Sequence, residues 1–265
     1  MTASLALILL VALGAPLFAI IASSALIGFY NNEIDLSVVA MEVYRIADTP
    51  VLIAIPLFTF AGYVLGESKA SQRLVLLTDA LLGWMPGGLA VVSLIACAFF
   101  TALTGASGAT IIALGAILYP AMKQAGYGER FNLGLITSSG SLGLLFPPSI
   151  ALILYGVIAQ QMDLDQPVAI DDLFIAGLLP GLVMLALLIG WSMYKSAGDR
   201  IPTSEFDLGK LVSAIRQSIW EIPLPIVLIT GIYTGYFAVS EAAAIAVLYV
   251  LVVDVLILGE VKIRQ

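Results

Sequence analysis

Between Asp79 and Lys123 the chain runs through 43 residues, 80–122, without one charged side chain. In their middle stands Thr104-Gly105-Ala106-Ser107-Gly108-Ala109-Thr110. The run is about twice the ~20 apolar residues that one membrane-spanning helix needs. Its midpoint is its least helical part, because glycine and small hydroxyl residues are weak helix formers. Two half-length apolar limbs meeting at a Gly/Ser/Thr tip predict a hairpin that dips into a membrane and leaves on the side it entered. Non-helical backbone at bilayer depth persists only where protein or a water-filled cavity satisfies its polar groups. The tip is therefore a candidate binding site.

The rest of the chain fits that environment. Of 265 residues 61% are hydrophobic and 11% charged, against ~25% charged in an ordinary soluble domain. This excludes a soluble single-core domain and supplies six or seven apolar blocks able to cross or enter a bilayer. The net charge of -7 comes without a polybasic run or a basic face, so a nucleic-acid partner is excluded. Cys97 is the single cysteine and lies in an apolar block; it forms no intrachain disulfide and reads as a small packing residue. Residues 3–29 are apolar with no Lys or Arg before them, which predicts a retained helix rather than a cleaved signal.

Read in order, residues 3–29 form a first span, kinked at Gly14 and Pro16. A polar stretch with Glu33, Asp35, Glu42, Arg45 and Asp48 leads to a short apolar block, Val51–Gly66, with Pro56 inside it. Residues 67–84 mix Glu67, Lys69, Arg73 and Asp79 with five leucines, the pattern of an amphipathic helix at the interface. The hairpin takes about 87–122. The next uncharged run reaches Asp163 and contains Thr137-Ser138-Ser139-Gly140-Ser141, then Gly143 and Phe146-Pro147-Pro148-Ser149. Two consecutive prolines remove two backbone donors, and the residue before a proline avoids helical geometry. The prediction is a span of two half-helices joined by an unwound link. Residues 173–194 form an ordinary span, Leu208–Ile219 a second amphipathic stretch, and 222–238 and 242–258 two final apolar blocks.

With those spans, Arg45 faces one side and the other ten basic residues the opposite one. Loops rich in Lys and Arg are cytoplasmic, so the hairpin enters from the cytoplasm. Broken helices expose free N–H groups at one end, which favour anions, and free carbonyls at the other, which suit cations. Ser, Thr and carbonyl oxygens supply hard donors for a sodium ion without any carboxylate. Small residues also serve close helix packing. What distinguishes this tip is an uncharged run twice too long for one span, followed by the Pro-Pro break.

At these residues the chain resembles the large membrane (M) subunit of the tripartite ATP-independent periplasmic (TRAP) transporters. The resemblance rests on Ile55-Pro56-Leu57-Phe58, Gly83-Trp84-Met85-Pro86-Gly87-Gly88-Leu89, Phe99 to Gly108, Ala113 to Met122, Ser138 to Ser149, Gly177 to Gly181 and Glu241 to Ala244. It implies an all-α integral membrane protein, an elevator-type transporter with a re-entrant helical hairpin and a broken transmembrane helix. It further implies sodium-driven uptake of an organic acid, such as a C4-dicarboxylate or sialic acid, in the bacterial inner membrane. The implied partners are a small membrane Q subunit and a periplasmic substrate-binding P protein, with sodium as coupling ion and no organic cofactor. By resemblance, Thr104, Gly105, Ala106, Ser107 and Ser149 line the substrate side. Ser107, Gly140, Ser141, Gly143, Phe146 and Pro148 supply oxygens to one sodium. The implied division is scaffold helices in 1–66, an arm helix in 67–86, and hairpin plus broken helix in 87–160. A transmembrane helix in 161–198, a second arm in 199–220 and further scaffold in 221–265 follow.

The family's M subunit has two inverted repeats, whereas this chain shows one hairpin tip and one double-proline link. The expectation is an N-terminal portion of such a subunit, its C-terminal half being a missing partner. Gly105-Ala106-Ser107-Gly108 also matches the GxSG of rhomboid proteases, but a serine nucleophile there needs a histidine base, and the chain has no histidine. The remaining alternatives are a binding-protein-independent sodium/dicarboxylate carrier, an ion channel and a purely structural membrane subunit. Asp79 and Glu241 read as structural, Glu241 at a helix start where negative charge is favoured. Asp254 is expected at the interface, beside Glu260-Lys262-Arg264.

Overall fold

The computed structural model describes residues 2–35, 37–162, 168–197 and 205–261. It divides into two compact units, Met1–Thr49 and Pro50–Gln265, and among the described residues every regular element is helical. The acidic loop expected around Asp163 and the polar stretch 198–204 lie largely outside the described residues.

The first unit holds α1 (Thr2–Ala12), α2 (Leu17–Asn31) and α3 (Ser37–Ala47). The apolar run 3–29 is two helices, not one kinked span. Gly14 adopts φ +73° and Pro16 stands just before α2, so the helical ladder ends and restarts. Asp35 Oδ1 accepts the Ser37 N–H at 2.8 Å where α3 begins. The α3 pair Glu42–Arg45, at 2.7 Å, is well exposed, and pairs of that kind contribute at most about 1 kcal/mol.

In the second unit a short 3₁₀ turn, Pro50–Ile53, runs into α4 (Ala54–Glu67). After a break at Ser68-Lys69 comes α5 (Ala70–Leu82), the expected amphipathic helix. The uncharged run is a helical hairpin of α6 (Gly88–Thr104) and α7 (Ser107–Gln124). α6 is apolar on all sides and buries fourteen of its seventeen residues, the behaviour of a central helix. α7 buries only the stripe Thr110, Leu114, Leu118 and Met122, spaced to share one helix face. α8 (Glu129–Leu142) packs on both limbs. It continues through the 3₁₀ turn Gly143–Leu145 and the proline link to α9 (Ile150–Gln161). The two halves meet at 43°.

α10 (Ile170–Ala197), α11 (Leu208–Gln217), α12 (Pro223–Tyr233) and α13 (Val239–Val250) complete the unit. α13 runs on as a π-helical turn, Leu251–Ile257. Among the described residues three helical stretches are long and apolar enough to cross a membrane: Pro50–Glu67, Ile170–Ser196 and Val239–Ile257. Counted as one broken span, the bent α8–α9 pair would be a fourth. The main core joins Phe58 of α4, Phe100 of α6, Leu114 of α7, Ile153 of α9, Leu228 of α12 and Val250 of α13.

One polar cluster ties distant elements together. Arg73 of α5 donates from Nε to Glu221 and from Nη1 to Glu260, each at 2.6 Å. Ser218 donates to the Arg73 carbonyl at 3.1 Å. Asp254, expected at the interface, is 1% exposed inside this cluster. The amphipathic pattern of α5 gave no sign that its arginine turns inward. Asp79, by contrast, is on the α5 face that borders α11, beside Lys210.

Candidate functional site

The hairpin tip is built by helix termination. α6 ends when Gly105 takes φ +66°, a conformation glycine adopts without steric penalty. Its N–H closes on the Thr101 carbonyl at 2.7 Å. Ala106 is extended, and α7 restarts at Ser107. Two helix ends, the carbonyls of α6 and the N–H groups of α7, therefore face each other across two residues.

Three threonines furnish the inner face of this tip. Thr101 Oγ1 stands 2.7 Å from Thr110 Oγ1 and 2.9 Å from the Gly140 carbonyl of α8. Thr104 Oγ1 is 3.4 Å from Thr110 Oγ1, and Thr110 Oγ1 is 3.3 Å from the Ala106 carbonyl. All three threonines are buried. The set contains only neutral oxygens, three hydroxyls and two carbonyls, with no charged side chain among them. Such oxygens are what an unwound helix offers a hard monovalent cation.

Close backbone approach holds hairpin and broken helix together. A Cβ on Gly143 would stand 2.4 Å from the Ala98 carbonyl oxygen and 2.4 Å from Thr101 Cβ. On Gly140 it would meet Ile111 at 2.5 Å. From the other side, Gly62 of α4 lies against the Thr104 backbone, where a Cβ would come to 2.6 Å. Gly105 is covered by Ile150, the first residue of α9. Ser149 is fully buried, and its Oγ accepts the Leu152 N–H at 3.3 Å, capping α9. The N-termini of α7 and α9 thus lie near one another at the tip.

The structure therefore brings Thr104, Gly105, Ala106, Ser107, Gly140 and Gly143 into one seam, with Ser149 one residue from Ile150. Pro148 is buried in the link. The Ser141 and Phe146 side chains do not join the oxygen cluster. Ser141 is exposed and borders a separate cavity with Met184 and Leu187. Phe146 lies against Gly181 of α10 and lines an apolar cavity of about 230 Å³ shared with α6, α10 and α12. That cavity is lined almost wholly by carbon and offers no convergent polar groups. Thr101 and Thr110 were not singled out from sequence, although the Thr104–Thr110 segment contains one of them. A threonine within a helix most often bonds its own backbone, and only the fold turns Thr101 toward Gly140 and Thr110 toward Thr101.

A family model, the DctM component of the tripartite ATP-independent periplasmic transporters, matches residues 4–265. The chain belongs to this family. It is 35% identical over 260 residues to the ectoine/5-hydroxyectoine TRAP transporter large permease protein of Ruegeria pomeroyi, covering 97% of the chain and 59% of that protein. It is 33% identical over 245 residues to the C4-dicarboxylate TRAP transporter large permease protein of Rhodobacter capsulatus, with coverages of 89% and 56%. The 2,3-diketo-L-gulonate large permease of Escherichia coli is 32% identical over 252 residues, with coverages of 94% and 58%. The chain thus spans under two thirds of the length of the large permeases it matches. As a DctM-family protein it is a multi-pass protein of the bacterial inner membrane, and its all-helical fold with a bent helix pair agrees with that.

Proposed function

We propose that the chain forms part of the permease of a TRAP transporter, taking up an organic solute by an elevator movement driven by sodium. A periplasmic binding protein delivers the solute, and a small membrane subunit completes the permease. The observation that carries this reading is the buried seam of neutral oxygens between the hairpin tip and Gly140, with the first residue of α9 packed on Gly105. Thr101, Thr104 and Thr110 with the Gly140 and Ala106 carbonyls would hold the sodium ion. The free N–H groups opening α7 and α9 would meet a carboxylate of the solute, because a helix N-terminus favours negative charge. The relatives' names span ectoines, C4-dicarboxylates, isethionate and a diketo sugar acid, each a solute with a carboxylate or sulfonate group. These names support reading the solute of this chain as an organic acid or zwitterion.

The test is uptake into proteoliposomes that hold the permease carrying this sequence with its small subunit. Binding protein and labelled solute are added outside, under an inward sodium gradient or an equal potassium gradient. Uptake should need both sodium and binding protein. Thr101→Val removes one hydroxyl at nearly constant shape and should raise the sodium concentration for half-maximal uptake at least several-fold. Ser107→Ala reports on the tip in the same assay. Uptake without binding protein would move the chain to another carrier class, and gradient-independent ion flux would make it a channel.

A further inference from the structure

Where α5, the turn before α12 and the end of α13 meet, the buried charges do not balance. The acidic members are Glu221, Asp254 and Glu260, with side-chain exposures of 3%, 2% and 14%. Arg73, 12% exposed, is the cation among them in the described residues. Its guanidinium touches Glu221 Oε1 and Glu260 Oε1 at 2.6 Å. The Lys69 backbone N–H occupies the other Glu260 oxygen at 2.9 Å, and the exposed Lys69 side chain is the next positive charge beside Glu260. Among the described residues, two cations thus answer Glu221 and Glu260, leaving Asp254 as the surplus carboxylate.

Asp254 is also the member without partners. Neither of its carboxyl oxygens has a hydrogen bond among the described residues, and both are shut from solvent. Its nearest cation atom, Arg73 Nη2, stands at 3.8 Å, against 2.6 Å to Glu221. Neighbouring hydroxyls are engaged elsewhere: Ser68 donates to the Leu65 carbonyl, and Tyr249 to the Trp220 carbonyl. The cavity bordered by Glu221, Trp220, Tyr249 and Asp254 measures about 10 Å³, room for one water at most and not for a hydrated cation. An isolated buried carboxylate is neutralised rather than kept ionised, and neighbouring carboxylates favour the same outcome. Asp254 lies in the π-helical turn Leu251–Ile257, a local form that recurs at functional sites.

We propose that Asp254 carries a proton in the folded protein, making this cluster a buried proton site distinct from the hairpin seam. The site spans α5 and the α12–α13 end, so its charge state follows the distance between them. Moving Arg73 away would leave Glu221 and Glu260 uncompensated and draw in further protons. The inference rests on the cluster alone and stands whatever ion drives transport.

Infrared spectroscopy of the full chain in lipid nanodiscs at neutral pH tests it. A protonated carboxyl in a dry site gives a C=O stretch apart from those of ionised carboxylates and amides. Wild type should show this band, and Asp254→Asn, which matches a neutral carboxyl in shape and charge, should lose it. Glu42→Gln, at the exposed α3 pair, should keep it. Should Asp254→Asn not fold, wild type grown with side-chain ¹³C-aspartate decides the question, because Asp254 is the only aspartate buried among the described residues; the band should shift with that label and not with labelled glutamate. A missing band, or one indifferent to both the substitution and the aspartate label, would overturn the proposal. So would an Asp254 held ionised by a cation outside the described residues, which gives no band.

Discussion

Gly143 and Gly108 are both small residues of the seam region, yet the fold asks different things of them. A Cβ at Gly143 would collide with backbone and Cβ atoms of α6 at 2.4–2.7 Å, none of them the end of a flexible side chain. At Gly108 nothing lies within 4 Å. Gly143→Ala should therefore destabilise the protein by about 1–3 kcal/mol, the usual result of overpacking, and should push the broken helix off Thr101. Gly108→Ala should be neutral or stabilising by up to about 1 kcal/mol, through helix propensity alone. Thermal unfolding of the two variants in detergent checks this; equal midpoints would mean the seam is loosely packed. Sequence reading located Gly105, Gly140 and Gly143 because glycine and proline interrupt apolar runs visibly. It passed over Thr101 and Thr110 because a threonine's direction on a helix depends on what lies opposite. For Thr101 that is the Gly140 carbonyl, thirty-nine positions away in the chain, and for Thr110 it is Thr101 on the other limb of the hairpin.

Arg73 decides how α5 is held. Its partners Glu221 and Glu260 lie 148 and 187 positions away, so no local pattern in 67–84 discloses them. The hairpin, the broken α8–α9 pair and both amphipathic helices were legible, because length, charge and proline placement are local properties. Arg73→Gln strands the buried Glu221 and the partly buried Glu260 and should destabilise the protein by about 3 kcal/mol. Combining it with Glu221→Gln should recover part of that loss, since the second substitution removes one uncompensated charge. A double-mutant cycle from thermal or denaturant unfolding would show the coupling, and strictly additive losses would mean the ion pair contributes nothing.

The same cluster sets an acid response. Burial pushes the Glu260 carboxyl up, but hydrogen bonds from Arg73 and the Lys69 N–H outweigh it and hold the group below its ordinary value. A carboxylate so depressed stabilises the fold at pH above its unfolded value, and that contribution is lost as pH falls through the folded value. Glu221 runs the other way, because burial outweighs the Arg73 contacts and raises it. The share of stability tied to its proton declines as pH rises from the unfolded value through the folded one. Glu260→Gln should therefore lower the melting midpoint at neutral pH and flatten the midpoint's fall on acidification from about pH 7 to below about pH 4. A Glu260→Gln curve parallel to wild type throughout would show that this carboxylate is not held by Arg73 in solution.

At the scale of the whole molecule, the open question is which helices cross the membrane. A bend of 43° between α8 and α9 suits either one broken span or two limbs that return to the same face. Charge distribution favours crossing. Lys123 and Arg130 flank the start of α8, whereas no Lys or Arg lies between Arg130 and Lys195, and basic residues mark the cytoplasmic side. Gln124, at the end of α7, and Gln161, at the end of α9, are both exposed, so a thiol at either would be open to reagent. The native background is low, because Cys97 is the single cysteine and is fully buried. Gln124→Cys should react with a membrane-impermeant maleimide only in inside-out vesicles, and Gln161→Cys only in right-side-out ones. Labelling of both from the cytoplasmic face would make α8–α9 a second re-entrant element. The Gly140 carbonyl would then approach the hairpin tip from the same side as the hairpin itself, and a seam reached from opposite faces, which an elevator carrier requires, would be lost.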